Sequence, residues 1–240
     1  MEKQDLLDKM KGQLIVSCQA LPDEPLHGPD IMARMAVAAK MGGAAAIRAN
    51  GVEDIIAIKI ATSLPVIGLI KQDYENSAVY ITPTKKELDA LMNAQVDIIA
   101  LDATKQPRPN GEGLEELVRY IRERSSILIM GDVSNFEEGI AAGWAGVDMI
   151  STTLSSYTPY TKDRLIPDLP LIEELAKASK VPVIAEGNIK TPEEAAEALR
   201  IGAHAVVVGT AITRPQIITK QFYDALRQTA EQIKIKKQIK

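Results

Sequence analysis

Lys71, Glu186, Asp132 and Arg48 each follow a short apolar run, and they are the side chains best suited to chemistry. Lys71 closes the run Val66-Ile67-Gly68-Leu69-Ile70, so its ammonium group would project from a strand end. An amine held against an apolar wall gives up its proton more readily. Near pH 7 it can then act as a base or as a nucleophile. Two chemistries are therefore open to Lys71: proton abstraction beside a carbonyl, and Schiff-base formation. Its competing structural use is an ion pair to Glu186 or Asp132. Glu186 can serve as a second acid or base, or as a hydrogen-bonding clamp. Asp132 can orient Lys71 or accept a substrate hydroxyl, while Arg48 and Gln19 suit the holding of polar substrate oxygens.

A second group of residues suits an anion. The apolar run 205–208 leads into Gly209-Thr210-Ala211-Ile212-Thr213-Arg214-Pro215. Glycine lets an anion approach the backbone, and the amides that follow can open a short helix whose first N–H groups lack internal acceptors. Gly187-Asn188 supplies a facing loop and Arg214 a charged fork. The pattern suits a phosphorylated substrate; the plainer reading is a pair of tight turns. A metal centre has little to draw on. The only histidines are His27, in a loop, and His204, in a Gly-Ala-His turn ahead of the last run, and neither stands beside another ligand. Cys18, the only cysteine, has no histidine partner in view and is expected to pack in the barrel as a small apolar group.

Positioning these residues requires a scaffold, and the chain shows one. Apolar runs at 14–18, 44–47, 66–70, 98–101, 127–130, 149–154, 181–185 and 205–208 are strand-length and lack polar alternation, which predicts strands buried on both faces. Between them lie helical patterns at 31–41, 52–61, 171–178 and 216–233, and a stripe of Leu114, Leu117, Val118 and Ile121. Thr84 with Glu87, Asn135 with Glu138, and Thr191-Pro192-Glu193-Glu194 read as helix starts with capping boxes. Strand and helix candidates alternate along nearly all 240 residues. The economical fold is one (β/α)₈ barrel spanning residues 1–240, with its chemistry at the C-terminal ends of the strands. A doubly wound open sheet is the alternative, but neither a GxGxxG turn nor a P-loop appears.

Composition agrees and excludes other classes. With 46% hydrophobic residues and a net charge of −4, the chain is neither disordered nor broadly attractive to nucleic acid. Aromatics make up only 4%, in keeping with aliphatic strands under Ala-rich helices. No uninterrupted apolar stretch is long enough to span a membrane, and the N-terminus lacks the apolar core of a signal peptide. The basic run 234–240 reads as a solvated end.

Taken together, these segments resemble a specific family. Cys18-Gln19-Ala20, Ile47-Arg48-Ala49-Asn50, Gly68-Leu69-Ile70-Lys71, Thr82-Pro83 and Leu101-Asp102-Ala103-Thr104 occur in the order found in N-acetylmannosamine-6-phosphate 2-epimerases. So do Gly131-Asp132-Val133-Ser134, the stretch 152–158, Ala185-Glu186-Gly187-Asn188 and the stretch 209–215. The resemblance implies a (β/α)₈ epimerase of bacterial sialic-acid catabolism. It would interconvert N-acetyl-D-mannosamine 6-phosphate and N-acetyl-D-glucosamine 6-phosphate. By similarity Lys71 would be the catalytic acid/base and Glu186 its partner. Gln19, Arg48 and Asp132 would contact the sugar, and Gly187, Asn188, Gly209, Thr210 and Arg214 would hold the phosphate end. Family members are cytoplasmic homodimers that need no metal or organic cofactor. Ser151 and Ser156 depart from the family's pattern, which has glycine at both places. A serine is strained wherever φ must be positive, so the loop after the sixth strand is expected to differ locally.

Three other readings remain open on the residues alone. They are a Schiff-base aldolase or lyase on a phosphorylated sugar, a metal-dependent phosphopentose epimerase, and a catalytically silent barrel that binds a sugar phosphate.

Overall fold

Runs rich in Val and Ile become strands because β-branched side chains fit a pleated, two-sided apolar surface. A computed structural model describes residues 3–238. Its strands are β1 Leu14–Cys18, β2 Ala46–Asn50, β3 Val66–Leu69, β4 Ile98–Asp102, β5 Leu128–Asp132, β6 Met149–Ser151, β7 Val183–Ala185 and β8 Ala205–Val208. All neighbours pair in parallel, and β8 returns to β1 through Leu14↔Val206, Ile15↔Val207 and Val16↔Val208. The sheet is thus a closed (β/α)₈ barrel, not the open sheet kept as an alternative.

The helices in chain order are α1 Lys3–Met10, α2 Pro29–Met41, α3 Val52–Thr62, α4 Lys85–Asn93 and α5 Leu114–Arg124. They continue with α6 Phe136–Ala145, α7 Leu169–Ala178, α8 Pro192–Arg200, the short α9 Thr210–Thr213 and α10 Pro215–Gln238. Thr84 and Thr191 form full capping boxes with Glu87 and Glu194, as their spacing predicts. Asn135 forms only half of one. Its side chain accepts the Glu138 amide, but the Glu138 carboxylate turns to the Ser134 amide (2.8 Å), the Lys105 amide (3.0 Å) and the Tyr160 hydroxyl (2.6 Å). Glu138 therefore ties three loops at the mouth together.

Residue parity decides which strand residues face the barrel interior. Ile15, Ala46, Ile67, Leu69, Ile98, Ala100, Leu128, Met130, Met149, Ile184, Ala205 and Val207 belong to one buried cluster, the interior of the barrel. Their odd-step neighbours, among them Val16, Ile47, Val66, Ile99 and Ile129, pack under the helices. Cys18 belongs to this outer layer with Met32 and Ala36, so it packs on the helix side of β1 and not inside the barrel. Helix α1, which the polar stretch around Asp5 and Lys9 did not announce, places Leu6 and Met10 against the interior cluster. His204 accordingly has a structural place far from the mouth, its Nε2 lying 2.8 Å from the Leu7 carbonyl.

The last helix forms where the pattern 216–233 puts it, with Phe222 70% exposed and Leu226 71%. The basic run 234–240 lies largely outside the described side chains. Among the described residues no helix is long and apolar enough to cross a membrane.

Candidate active site

The interior parity carries past the last apolar layer into the charged residues. Counting in twos from Ala46 reaches Arg48, from Leu69 reaches Lys71, from Met130 reaches Asp132, from Met149 reaches Ser151, and from Ile184 reaches Glu186. Register then sets neighbours side by side, with Asp102 opposite Asp132 and Asp132 opposite Ser151. This is why β2 and β5 run further than the apolar runs 44–47 and 127–130 suggest. Arg48 and Asp132 are partnered, so a strand can carry them without leaving bare charge in the interior.

Arg48 is the centre of the site. Its guanidinium, 1% exposed, grips Asp132 with two bonds, Nη1–Oδ1 at 3.1 Å and Nη2–Oδ2 at 2.5 Å, and Nη1 also lies 3.0 Å from Glu186 Oε2. Burial works against the arginine charge, but the Asp132 and Glu186 carboxylates overcome it and hold the proton more tightly than usual. Thr153 links the same two acids, with Oγ1 at 3.0 Å from Asp132 Oδ1 and 2.9 Å from Glu186 Oε2. Asp132 is fully buried beneath this network and does not line the cavity, so its contact is with Arg48 and Thr153.

Burial raises the Glu186 pKa; Arg48 pulls it back and Asp132 pushes it up again, leaving the carboxyl above the ordinary glutamate value. The Ser151 hydroxyl adds a bond to Glu186 Oε2 at 3.3 Å. Serine at that position therefore feeds the site and takes an ordinary strand conformation. Ser156 does what glycine would do there, adopting φ of 72° and keeping the left-handed turn at some strain.

Lys71 stands apart from this network. Among the described residues its ammonium group has neither an ion pair nor a hydrogen bond, so neither Glu186 nor Asp132 takes it as a salt-bridge partner. Its backbone is held firmly: the Lys71 amide donates to Asn50 Oδ1 at 2.8 Å, and the return segment pairs Gln72 N with Tyr80 O at 2.9 Å. Burial, followed by the guanidinium groups of Arg48 and Arg214, lowers the Lys71 pKa, outweighing Glu186 and Glu24. The direction is the one its setting after an apolar run implies.

Lys71, Arg48 and Glu186 open into one cavity of about 650 Å³ that also takes in Gln19, Asn188 and Arg214. Gly187, Gly209 and Thr210 line its wall. Gly187 has φ of 120°, a conformation side chains rarely adopt, and a Cβ at Gly209 would come within 3.3 Å of Ser17. Both glycines therefore permit close backbone approach. Arg214 is not a free fork: Nη2 lies 3.0 Å from Glu24 Oε2. Gln19 bonds the Ser17 hydroxyl at 3.0 Å.

Sequence reasoning gave no role of their own to three participants. Thr153 falls in the stretch 152–158 that carries part of the resemblance, and it stands at the mouth because β6 ends at Ser151, short of the apolar run 149–154. Tyr80, whose phenol lines the cavity with a pKa pushed up to about 12 by burial and Asp132, comes from the return segment after β3. Glu24 sits in the loop after β1, where only His27 had drawn notice. His27 bonds the Ala20 carbonyl at 3.2 Å. Among the described residues no cluster of three His, Cys, Asp or Glu side chains is arranged to hold a metal ion.

Residues 32–228 match the NanE family, described as "Putative N-acetylmannosamine-6-phosphate epimerase". A Clostridioides difficile (strain 630) protein named "Putative N-acetylmannosamine-6-phosphate 2-epimerase" is 58% identical over 221 residues, 92% of this chain and 99% of that one. A relative of the same name from Clostridium perfringens (strain SM101 / Type A) is also 58% identical, over 92% of this chain and 100% of its own length. A solved structure, described as the N-acetylmannosamine-6-phosphate 2-epimerase from Clostridium perfringens, superposes with a TM-score of 0.91 at 56% identity, covering 94% of this chain and 98% of that one. A thiamine phosphate pyrophosphorylase from Pyrococcus furiosus, 19% identical with a TM-score of 0.60, shares the fold. With a family match across most of its length and relatives above half identity, the chain belongs to the N-acetylmannosamine-6-phosphate epimerase family.

Proposed function

We propose that this chain interconverts N-acetyl-D-mannosamine 6-phosphate and N-acetyl-D-glucosamine 6-phosphate by moving a proton at C2. The observation that carries this reading is the division of labour in the cavity. Arg48 satisfies both carboxylates, which leaves Lys71 unpaired, depressed in pKa and facing the same space. In the open-chain sugar the C1 aldehyde acidifies the C2 hydrogen. Neutral Lys71 takes that hydrogen as a proton, the C–H electron pair becomes the C1=C2 bond, and the carbonyl pair moves onto the C1 oxygen, giving an enolate whose C2 keeps its acetamido nitrogen. Arg48 faces the cavity as a fixed cation for that charge. Return of a proton to the opposite face of C2 completes the inversion. Glu186, on the same cavity, is the second acid or base, serving ring opening or the return step.

The phosphate end belongs at Gly187, Asn188, Gly209, Thr210 and Arg214, with Gln19 on a sugar oxygen. Asp132 acts on the sugar through Arg48. Anchoring the phosphate fixes a floppy open chain with binding energy remote from C2. No step requires a metal or organic cofactor. An NMR time course in D₂O is the test: the product acquires deuterium at C2. Full turnover to unlabelled product would overturn the route, and borohydride trapping of substrate on Lys71 would assign the site to Schiff-base chemistry instead.

We further read residues 1–240 as one working domain, cytoplasmic, and paired with a second copy of itself. The support for pairing is α10, which leaves Phe222, Tyr223 and Leu226 at 70%, 58% and 71% exposure on a helix of 24 residues. Such an apolar face is costly in water unless a partner covers it. Light scattering should give twice the chain mass for the wild type and the monomer mass for Phe222→Asp combined with Leu226→Asp. A monomeric wild type would remove the proposal.

A further inference from the structure

We propose that Glu24 is the positioning residue of the phosphate grip: from the loop after β1 it fixes the Arg214 guanidinium at the rim of the cavity. This rests on the reading that the Arg214 end of the cavity takes a phosphoryl group.

Both oxygens of Glu24 are engaged. Oε2 lies 3.0 Å from Arg214 Nη2 and accepts the Leu21 amide at 2.9 Å, while Oε1 accepts Gln216 Nε2 at 3.1 Å. The carboxylate is thereby locked by its own loop on one side and by the segment entering α10 on the other. It is a strut between parts of the chain 190 residues apart. The strut is largely shielded, with side-chain exposures of 16% for Glu24 and 27% for Arg214. Gln216 directs its amide at Glu24 while its own Oε1 stays buried and unpartnered.

A guanidinium presents five donors, of which Glu24 engages only Nη2. The remaining edge stays available to a phosphoryl oxygen. An untethered arginine would have to lose rotamer freedom when the ligand arrives; one fixed beforehand does not. Leu21 and Arg214 line the same cavity, so the contact also joins two sides of its wall. Glu24 touches neither Lys71 nor Glu186; its through-space pull on the Lys71 charge comes last, after burial, Arg48, Arg214 and Glu186, so its main action is on binding through Arg214.

The test pairs calorimetric titration of the full chain with inorganic phosphate and steady-state kinetics on the sugar phosphate. Glu24→Ala should weaken phosphate binding about tenfold and raise KM by a similar factor, with kcat within about twofold, the loss expected of one charge-assisted contact. Glu24→Gln, which keeps the shape and an oxygen for Leu21, should fall between that variant and the wild type. In an Arg214→Ala background, Glu24→Ala should have no further effect, a coupling that a merely structural loop residue would not show. Phosphate binding by Glu24→Ala equal to or tighter than wild type would overturn the proposal, as would additive losses in the double variant. A wild type that turns over sugar phosphate yet binds no inorganic phosphate would count against Glu24 alone. A wild type with neither property would remove the functional reading and the Glu24 role with it.

Discussion

Lys71→Met is expected to abolish deuterium exchange at C2 and to lower turnover by about 10³-fold or more, within the range lost with a general base. The barrel should survive intact. Methionine is unbranched like lysine, one atom shorter and uncharged, and the charge it removes is disfavoured by burial and by Arg48 and Arg214. Thermal stability should therefore hold or rise while activity collapses, the signature of a strained functional group. Lys71→Arg should be equally inactive, because a guanidinium does not give up its proton. The pH profile of the wild type provides a second check. Because the Lys71 pKa is lowered, the acid limb of kcat/KM must lie below 10.5, the value of an ordinary lysine. Exchange at full rate in Lys71→Met would assign the base elsewhere in the cavity, with Glu186 next in line.

Arg48→Met should do the reverse, damaging stability as well as activity. Removing the guanidinium leaves Asp132, fully buried, and Glu186 with no cation between them. Breaking a buried pair in this way costs about 3–5 kcal/mol, since the stranded charge stays in the interior. Urea unfolding at pH 7 measures it, and the pH dependence identifies the cause. Glu186 already has a raised pKa in the folded protein, and loss of Arg48 moves it further up. A carboxyl with a raised folded pKa binds more protons folded than unfolded between the two values, so stability falls as pH rises through that window. The deficit of Arg48→Met should therefore shrink on going from pH 7 toward pH 5. A loss below about 1 kcal/mol, or one independent of pH, would mean that the pair contributes little beyond what methionine packing replaces.

The fold was legible because strands buried on both faces leave continuous apolar runs, and eight of them in alternation with helices admit few architectures. Lys71 and Glu186 were legible for the same reason: each is the first charged residue after such a run. What the runs hide is parity. With both faces apolar, nothing in the sequence of β1 says that Ile15 points inward and Cys18 outward; the packing of Cys18 as a small apolar group was legible, its layer was not. Arg48 and Asp132 were read as residues beyond strand ends, yet β2 and β5 continue through them because mutual pairing permits buried charge. The Glu24 strut lay beyond reach, since it joins segments far apart in the chain, as did the exposure of Phe222 and Leu226 on α10. Glu138 shows the local version of the same limit. Its spacing from Asn135 fits a capping box, but the tertiary partners Ser134, Lys105 and Tyr160 compete for the carboxylate and win.

The outward turn of Cys18 has a kinetic consequence. The thiol is fully buried with Met32 and Ala36 in the layer beneath the helices, and burial pushes its pKa up to about 12, so the folded chain offers almost no thiolate to a reagent. As the only cysteine, it can be modified only in moments when the coat over β1 opens. At reagent concentrations where labelling outpaces reclosing, the labelling rate counts those openings, and at lower ones it reports the open population, giving this barrel a built-in probe for breathing of its helical shell, sited on the opposite side of β1 from the cavity.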